Sequence, residues 1–350
     1  MSQQSNIRVL YRLNELPIFQ NRMYESETEA KACLKGDMLL VEDQDTGLIY
    51  NMDFRPELMK YDSHYQNEQG VSNFFREHLD SVACIVDHCL GRDSLVEVGC
   101  GKGFFLEMLL EKGFNVIGFD PTYEGGNPRI RRHYFEKDVG IQAEGIILRH
   151  VLEHIQDPFD FLMQLKAANG GKGKIYLEVP CFDWILKRKA WFDIFYEHVN
   201  YFRLSDFHRM FGNLEESGRL FGDQYIYVVA DLETLKQPKM EPKDRVDMPE
   251  DFSDKLSGSS QSAIWGGASK GVIFALLKER FGQPVNVVID INPAKQGRYL
   301  PATGLLVHSP DEALAKLTKG STIYVMNSNY LNEIKKMSNN LYHYIEVDHE

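Results

Sequence analysis

Paired cysteines are missing from this chain. Its five cysteines, Cys33, Cys84, Cys89, Cys100 and Cys181, form no C-x-x-C pair and no regular framework. Neither disulfides nor a structural zinc is therefore expected, and a reducing cytoplasm is. Long apolar runs are missing too: none reaches the roughly 18 residues that span a bilayer. No basic leader ahead of an apolar stretch opens the sequence, so a soluble protein is expected. Basic residues are in deficit, 39 Lys and Arg against 51 Asp and Glu, for a formal net charge of −12. With no long basic run to meet a phosphate backbone, neither nucleic acid nor membrane is an expected partner; a small molecule is. The length of 350 residues predicts two or three domains and leaves a homo-oligomer open.

What is present is a glycine turn. Leu95-Val-Glu-Val-Gly-Cys-Gly-Lys-Gly-Phe104 closes a short apolar run and opens a helical pattern. Gly99, Gly101 and Gly103 let the backbone turn sharply and approach a ligand that would lie on the helix N-terminus. Glu97, at the strand end, suits the ammonium of a methionine-like group better than a pyrophosphate. The next strand, 115–119, ends in Asp120, where a carboxylate accepts hydrogen bonds from both ribose hydroxyls. A tight turn alone would account for the glycines, but Glu97 and Asp120 in these places favour a cofactor loop. Together these residues resemble the S-adenosylmethionine loop of class I methyltransferases.

Around this motif, helix and strand patterns alternate: helices over 74–89, 104–112 and 158–168, and strands over 94–98, 115–119, 145–148 and 173–179. That is a doubly wound α/β sheet. Four segments follow: a small N-terminal domain or lid (1–75), a cofactor domain (76–232), a polar connector that is partly helical (233–262) and a C-terminal unit (263–350). The last repeats the strand, glycine turn, helix and strand-end acid, with a helix over 272–280 and a strand over 285–289 ending at Asp290. Gly266, Gly267 and Gly271 do not make G-x-G-x-x-G, so a structural turn and a binding loop both stay open there. Lys270 favours an anionic ligand.

Four stretches carry a wider resemblance, spanning most of the chain. They are Val96-Glu-Val-Gly-Cys-Gly-Lys-Gly103, Arg149-His-Val-Leu-Glu-His-Ile155, Tyr196-Glu-His-Val-Asn-Tyr-Phe202 and Asp290-Ile-Asn-Pro-Ala-Lys-Gln-Gly-Arg-Tyr-Leu-Pro301. They are similar to the sugar C-methyltransferase family, which methylates ring carbons of nucleotide-linked keto-deoxysugars. The resemblance implies three domains: a small N-terminal one, a class I methyltransferase Rossmann-like sheet, and a second Rossmann-like domain helping to enclose the sugar nucleotide. Three departures stand out. The N-terminal zinc cysteines of the family are absent around 41–50, so no metal is expected. Phe195 stands where a catalytic tyrosine is common. Phe221-Gly-Asp-Gln-Tyr225 replaces a His-Gly-Gly-Ser element.

Carbon methylation beside a ketone requires a base to remove a weakly acidic proton, which an imidazole does near neutral pH. His198 is the first candidate, with Glu197 to orient it and Tyr196 to donate toward oxyanion charge. Neighbours on a strand cannot all face one pocket, so they rank in that order. His150 and Glu153 border the cofactor sulfur, while His154 caps or packs its helix. Phe135 stacks on adenine or fills the core, and Tyr65 and Gln69 close over the cofactor from the lid. Lys295, Arg298 and Tyr299, with Lys270, are the candidate substrate contacts. Methyl transfer to a sugar hydroxyl is the runner-up activity, and a catalytically silent binding module the third reading. The loop spacings disfavour a nicotinamide oxidoreductase.

Overall fold

The computed structural model describes residues 6–59, 72–250 and 262–349. Near the N-terminus, β1 (Ile7–Pro17), α1 (Glu27–Lys31), β2 (Lys35–Asp43) and β3 (Ile49–Asn51) build an antiparallel sheet. Beyond residue 71, α2 (Asn73–Leu90) buries Phe75, His78, Leu79, Val82 and Val86, a three-and-four spacing that puts one stripe against the sheet beneath it. Then come β4 (Leu95–Val98), α3 (Phe104–Glu111), β5 (Val116–Phe119), β6 (Ile130–Arg131) and β7 (Gly145–Arg149). They are followed by α4 (Pro158–Ala168), β8 (Lys174–Pro180), α5 (Phe182–Arg188), β9 (Asn200–Tyr201), α6 (Leu204–Met210), β10 (Leu214–Leu220) and β11 (Tyr225–Asp231).

The central sheet has the order β10-β11-β8-β7-β4-β5-β6, with β4 to β8 parallel and β11 antiparallel to β8. Buried on both faces, its parallel strands read as continuous apolar runs, such as Leu95-Val-Glu-Val98, interrupted by one acid. The chain leaves β4 toward β5 and returns on the other side at β7, so the crevice at this switch point lies over the carboxyl ends of β4 and β7. This is the Rossmann-like arrangement of class I methyltransferases. The expected helices and strands all stand within about three residues of where their patterns put them. Unforeseen were the hairpin β10–β11 and the passage of β9 out of this domain to close the N-terminal sheet on β3. Phe74 and Phe75, where the predicted helix over 74–89 begins, stand in the first turn of α2.

The connector is less free than its composition implies. It holds short 3-10 turns at Leu232–Thr234 and Pro242–Asp244, and Val246 N donates to the buried Glu42 carboxylate at 2.8 Å. The C-terminal unit comprises β12 (Ser262–Trp265), α7 (Ser269–Arg280), β13 (Val287–Ile289), β14 (Val307–His308), α8 (Pro310–Lys316), β15 (Thr322–Val325), α9 (Leu331–Met337) and β16 (His343–Glu346). Its parallel sheet, order β14-β13-β12-β15-β16, has its own switch point between β12 and β15. Carboxyl ends of both parallel sheets contribute residues to one shared cavity.

Candidate active site

The first crevice is framed by the loop from β4 to α3. Gly99 has φ +70°, and a Cβ there would stand 2.4 Å from Val151 Cγ2, so no larger residue fits this close approach. Gly101 N donates to Asp120 Oδ2 at 2.8 Å, and Thr122 donates to Oδ1 through its amide (2.8 Å) and its hydroxyl (2.7 Å). A carboxylate offers about four acceptor positions. Asp120 thus retains room for about one ribose hydroxyl, where the sequence pattern had assigned two.

Glu97 is 4% exposed, and its Oε2 has no hydrogen-bond partner among the described residues. Burial pushes its carboxyl up to about 7; Arg149 opposes the rise and Asp120 adds to it. Below that pH Glu97 carries a proton that a bound cationic group would expel. Cofactor affinity should therefore climb with pH, approaching about tenfold per unit well below 7, and level off above it. Calorimetry in buffers of different ionisation heat reads the released proton. A flat affinity with no proton released would remove Glu97 from the cofactor site.

Beneath this loop lies a charge cluster that the sequence did not announce. Glu178, near the end of β8, is fully buried. Its Oε1 accepts from Arg149 Nη2 at 2.8 Å and lies 3.2 Å from His78 Nε2, while Oε2 accepts from Tyr176 at 2.8 Å. His150 Nε2 stands 3.0 Å from the same Oε1, a charge contact whose angle is too poor for a hydrogen bond. Burial alone would raise the Glu178 carboxyl, but Arg149, then His150 and His78, hold it well below the usual range.

His150 has φ +51°, uncommon for a non-glycine residue and a form of strain that persists only where the surroundings enforce it. Here its Nδ1 lies 3.3 Å from Glu153 Oε1. Burial disfavours its charge, yet the Glu153 and Glu178 carboxylates outweigh that and lift the imidazole to about 9.

Next to this cluster is a cavity of about 270 Å³, lined on one side by His150, Glu153, His154, Glu197 and His198. The His198 ring packs on Phe195 at 4.0 Å and on His154 at 5.0 Å, and neither of its nitrogens makes a hydrogen bond among the described residues. Burial, then the neighbouring His154, His150 and Lys270, push its pKa well below the ordinary value. It is a neutral imidazole with a free lone pair. Glu197 Oε2 accepts from Gln20 N at 3.1 Å, and His154 Nδ1 donates to the Glu197 carbonyl at 2.8 Å. That last contact takes His154 out of the helix-capping role expected of it. Glu153, His154 and His198 bring one ligand atom each within 4.8 Å of one another.

Tyr196 points away. Its hydroxyl accepts from Arg55 N at 2.8 Å, and its ring lies so close to Gly36 that a Cβ there would meet it at 2.3 Å. The expected oxyanion donor is thus a strut to the N-terminal sheet. Tyr196→Phe should cost about 1 kcal/mol of stability and leave turnover within about twofold, in a thermal melt paired with an initial-rate assay.

On the C-terminal side, Lys270 and Lys295 line the cavity. Lys270 also ties the units together: it pairs with Asp193 at 3.2 Å, donates to Gln224 at 2.7 Å and lies 4.6 Å from the Trp184 ring centroid. Arg298 and Tyr299 do not reach the cavity. Arg298 pairs with Glu25, and Tyr299 forms a backbone bridge to Tyr24, so this basic loop serves the N-terminal segment. Phe135 is buried against Phe119 at 5.1 Å, in the core rather than on an open stacking face. Tyr65 and Gln69 lie outside the described residues. Tyr225, which the sequence missed, packs edge-on against His150 at 4.5 Å and stacks on Phe221 at 4.9 Å.

Residues 59–215 match the family described as "Methyltransferase domain". The C-methyltransferase NovU of Streptomyces niveus is 30% identical over 167 residues, 42% of this chain and 39% of that protein. The match thus spans about two fifths of that relative's length. Among solved structures, magnesium protoporphyrin IX methyltransferase from Synechocystis PCC 6803 with bound SAH aligns at TM-score 0.36 and 16% identity, over 48% of this chain and 89% of that one. A SAM-dependent methyltransferase from Archaeoglobus fulgidus aligns at 0.34 and 17%, over 46% and 100%. The domain match and the strand order support a SAM-dependent methyltransferase, with S-adenosylmethionine as its cofactor.

Proposed function

We propose that this protein moves the methyl group of S-adenosylmethionine to a carbon of a keto sugar carried on a nucleotide. The observation that bears most weight is a neutral, unbonded imidazole, His198, facing a cavity between the cofactor sheet and the C-terminal unit. When bound, the cofactor supplies a methyl already activated on a sulfonium, so the residues need only position the acceptor and manage one proton. Glu97, Gly99, Gly101, Gly103 and Asp120 hold the cofactor. His198 accepts the proton from the carbon beside the ketone, and Glu197 fixes the segment that carries it. His150, kept cationic by two carboxylates, stabilises the developing enolate oxygen. Neighbouring groups of opposite protonation are the signature of a divided acid and base. Lys270 and Lys295 face the nucleotide.

Transfer to a sugar hydroxyl would use the same base, so the test reads the attachment. The protein is incubated with methyl-labelled cofactor and a panel of keto-sugar nucleotides, and the product is examined by carbon NMR. A label in the aliphatic region supports the reading; a methoxy signal replaces it with oxygen methylation. Cofactor binding without product from any acceptor would leave a binding module.

A further inference from the structure

We infer that Glu153, His154 and His198 form a site for one divalent transition-metal ion of the zinc class, and that an ion seated there silences the base. Two clamped segments bring the three residues together. Glu153 and His154 end a 3-10 turn, Leu152–His154, and His198 stands just ahead of β9. Val199 N donates to the Glu153 carbonyl at 2.8 Å, and Asn200 Nδ2 donates to the carbonyls of Leu152 and Ile155. The backbone that carries the ligands is therefore fixed before any ion arrives, which lowers the cost of binding one.

Each residue offers an atom in the right chemical state. His154 Nδ1 donates to the Glu197 carbonyl at 2.8 Å. A carbonyl only accepts, so in the neutral ring the lone pair sits on Nε2. Metal-ligating histidines are oriented in this way, by a bond from the other ring nitrogen to a backbone carbonyl. The His198 ring makes no hydrogen bond among the described residues, and burial, ahead of the neighbouring His154, His150 and Lys270, keeps it neutral. An ion thus displaces no proton from it. Glu153 is 1% exposed; its Oε1 lies 3.3 Å from His150 Nδ1, and its Oε2 has no partner among the described residues. The three ligand atoms lie within 4.8 Å of one another. Around zinc, bonds of about 2.0–2.2 Å set such ligands about 3.3 Å apart, so closure asks for about 1.5 Å of movement or less. Rotation of the His198 ring supplies it without breaking a hydrogen bond. Two imidazoles and a carboxylate suit zinc, cobalt or nickel, whereas magnesium and calcium take oxygen ligands. The nearby cations do not stand unopposed: His150 faces Glu153 and Glu178, and Lys270 pairs with Asp193 at 3.2 Å.

The site itself is independent of the proposed reaction; only the silencing rests on His198 being its base. A neutral imidazole has one lone pair, and an ion that holds it leaves none for a proton. The full chain, stripped with a chelator and dialysed, is titrated with zinc by calorimetry and with cobalt by visible absorption. One ion per chain should bind with a Kd of about 10 µM or tighter, magnesium should give no signal, and S-adenosylhomocysteine affinity should stay within about twofold. His154→Gln and His198→Gln should each weaken zinc binding by about a hundredfold or more. A Kd above about 1 mM, or tight binding that survives both substitutions, would overturn the inference. Should the variants fail to fold, X-ray absorption of the zinc-loaded wild-type protein decides: two imidazoles around the ion support the site, and fewer overturn it. In the methyl-transfer assay zinc should abolish turnover and a chelator restore it. Full turnover with the ion bound would overturn the silencing and take the base role from His198. Failure to bind zinc, with turnover still dependent on His198, would sink the site and leave the reaction intact.

Discussion

Replacing His198 by alanine should lower turnover by about a hundred- to ten-thousandfold, the usual loss for a general base, while cofactor affinity stays within about twofold. The ring makes no hydrogen bond that the cofactor loop depends on, and its neighbours Phe195 and His154 are held by their own contacts. The loss should therefore appear in single-turnover rates and not in binding. The pH profile gives an independent reading. Activity requires His198 neutral and His150 charged. Since His198 lies well below its ordinary value and His150 is lifted to about 9, turnover should hold level through neutral pH and fall on an alkaline limb near 9. In the alanine variant the acid limb should vanish and the alkaline one remain. Wild-type turnover in that variant would remove the base assignment outright.

The cofactor crevice was legible because its grammar is local: one strand, one turn and one helix N-terminus within ten residues, then an acid at the next strand end. Neighbouring positions determine such a turn, so Glu97, Gly99 and Asp120 stand at the strand ends and the bend that the pattern predicted. The acceptor side is assembled from distant segments, and there the reading thinned. Glu178 looked like the tail of a buried strand, because its partners arrive from α2, from the end of β7 and from two residues back on β8. Arg298 and Tyr299 looked like ligand contacts from composition alone. Only the fold reveals that their loop turns to Tyr24 and Glu25. Tyr196 sits in a turn, where no strand alternation sets the direction of its side chain, so its contact with Arg55 showed only in the fold. The hairpin β10–β11 escaped because Leu214-Glu-Glu-Ser-Gly-Arg-Leu220 is a polar edge strand with weak alternation.

Glu178→Ala should be the most destabilising single change in the cofactor domain. It removes the carboxylate shared by Arg149, His150 and His78, stranding the buried Arg149 guanidinium at a cost of about 3–5 kcal/mol. For a chain of this size that is a fall of roughly 4–7 °C in melting temperature. Glu178→Gln separates structure from electrostatics, since it retains the shape and a hydrogen bond to Arg149 but drops the charge. His150 then keeps only Glu153, and its alkaline limb should move below about 9. The sign follows from linkage. A histidine raised from 6.5 to about 9 adds stability that is complete below 6.5 and disappears as pH rises through 9. Wild-type stability should therefore decline across that window, and the Gln variant, starting lower, should decline less. Glu178 itself is depressed, so its own contribution is present above the ordinary carboxylate range and fades only in strong acid. Parallel stability curves for the two proteins between pH 6.5 and 9, with an unmoved alkaline limb, would show that Glu178 fills space without setting the charge on His150.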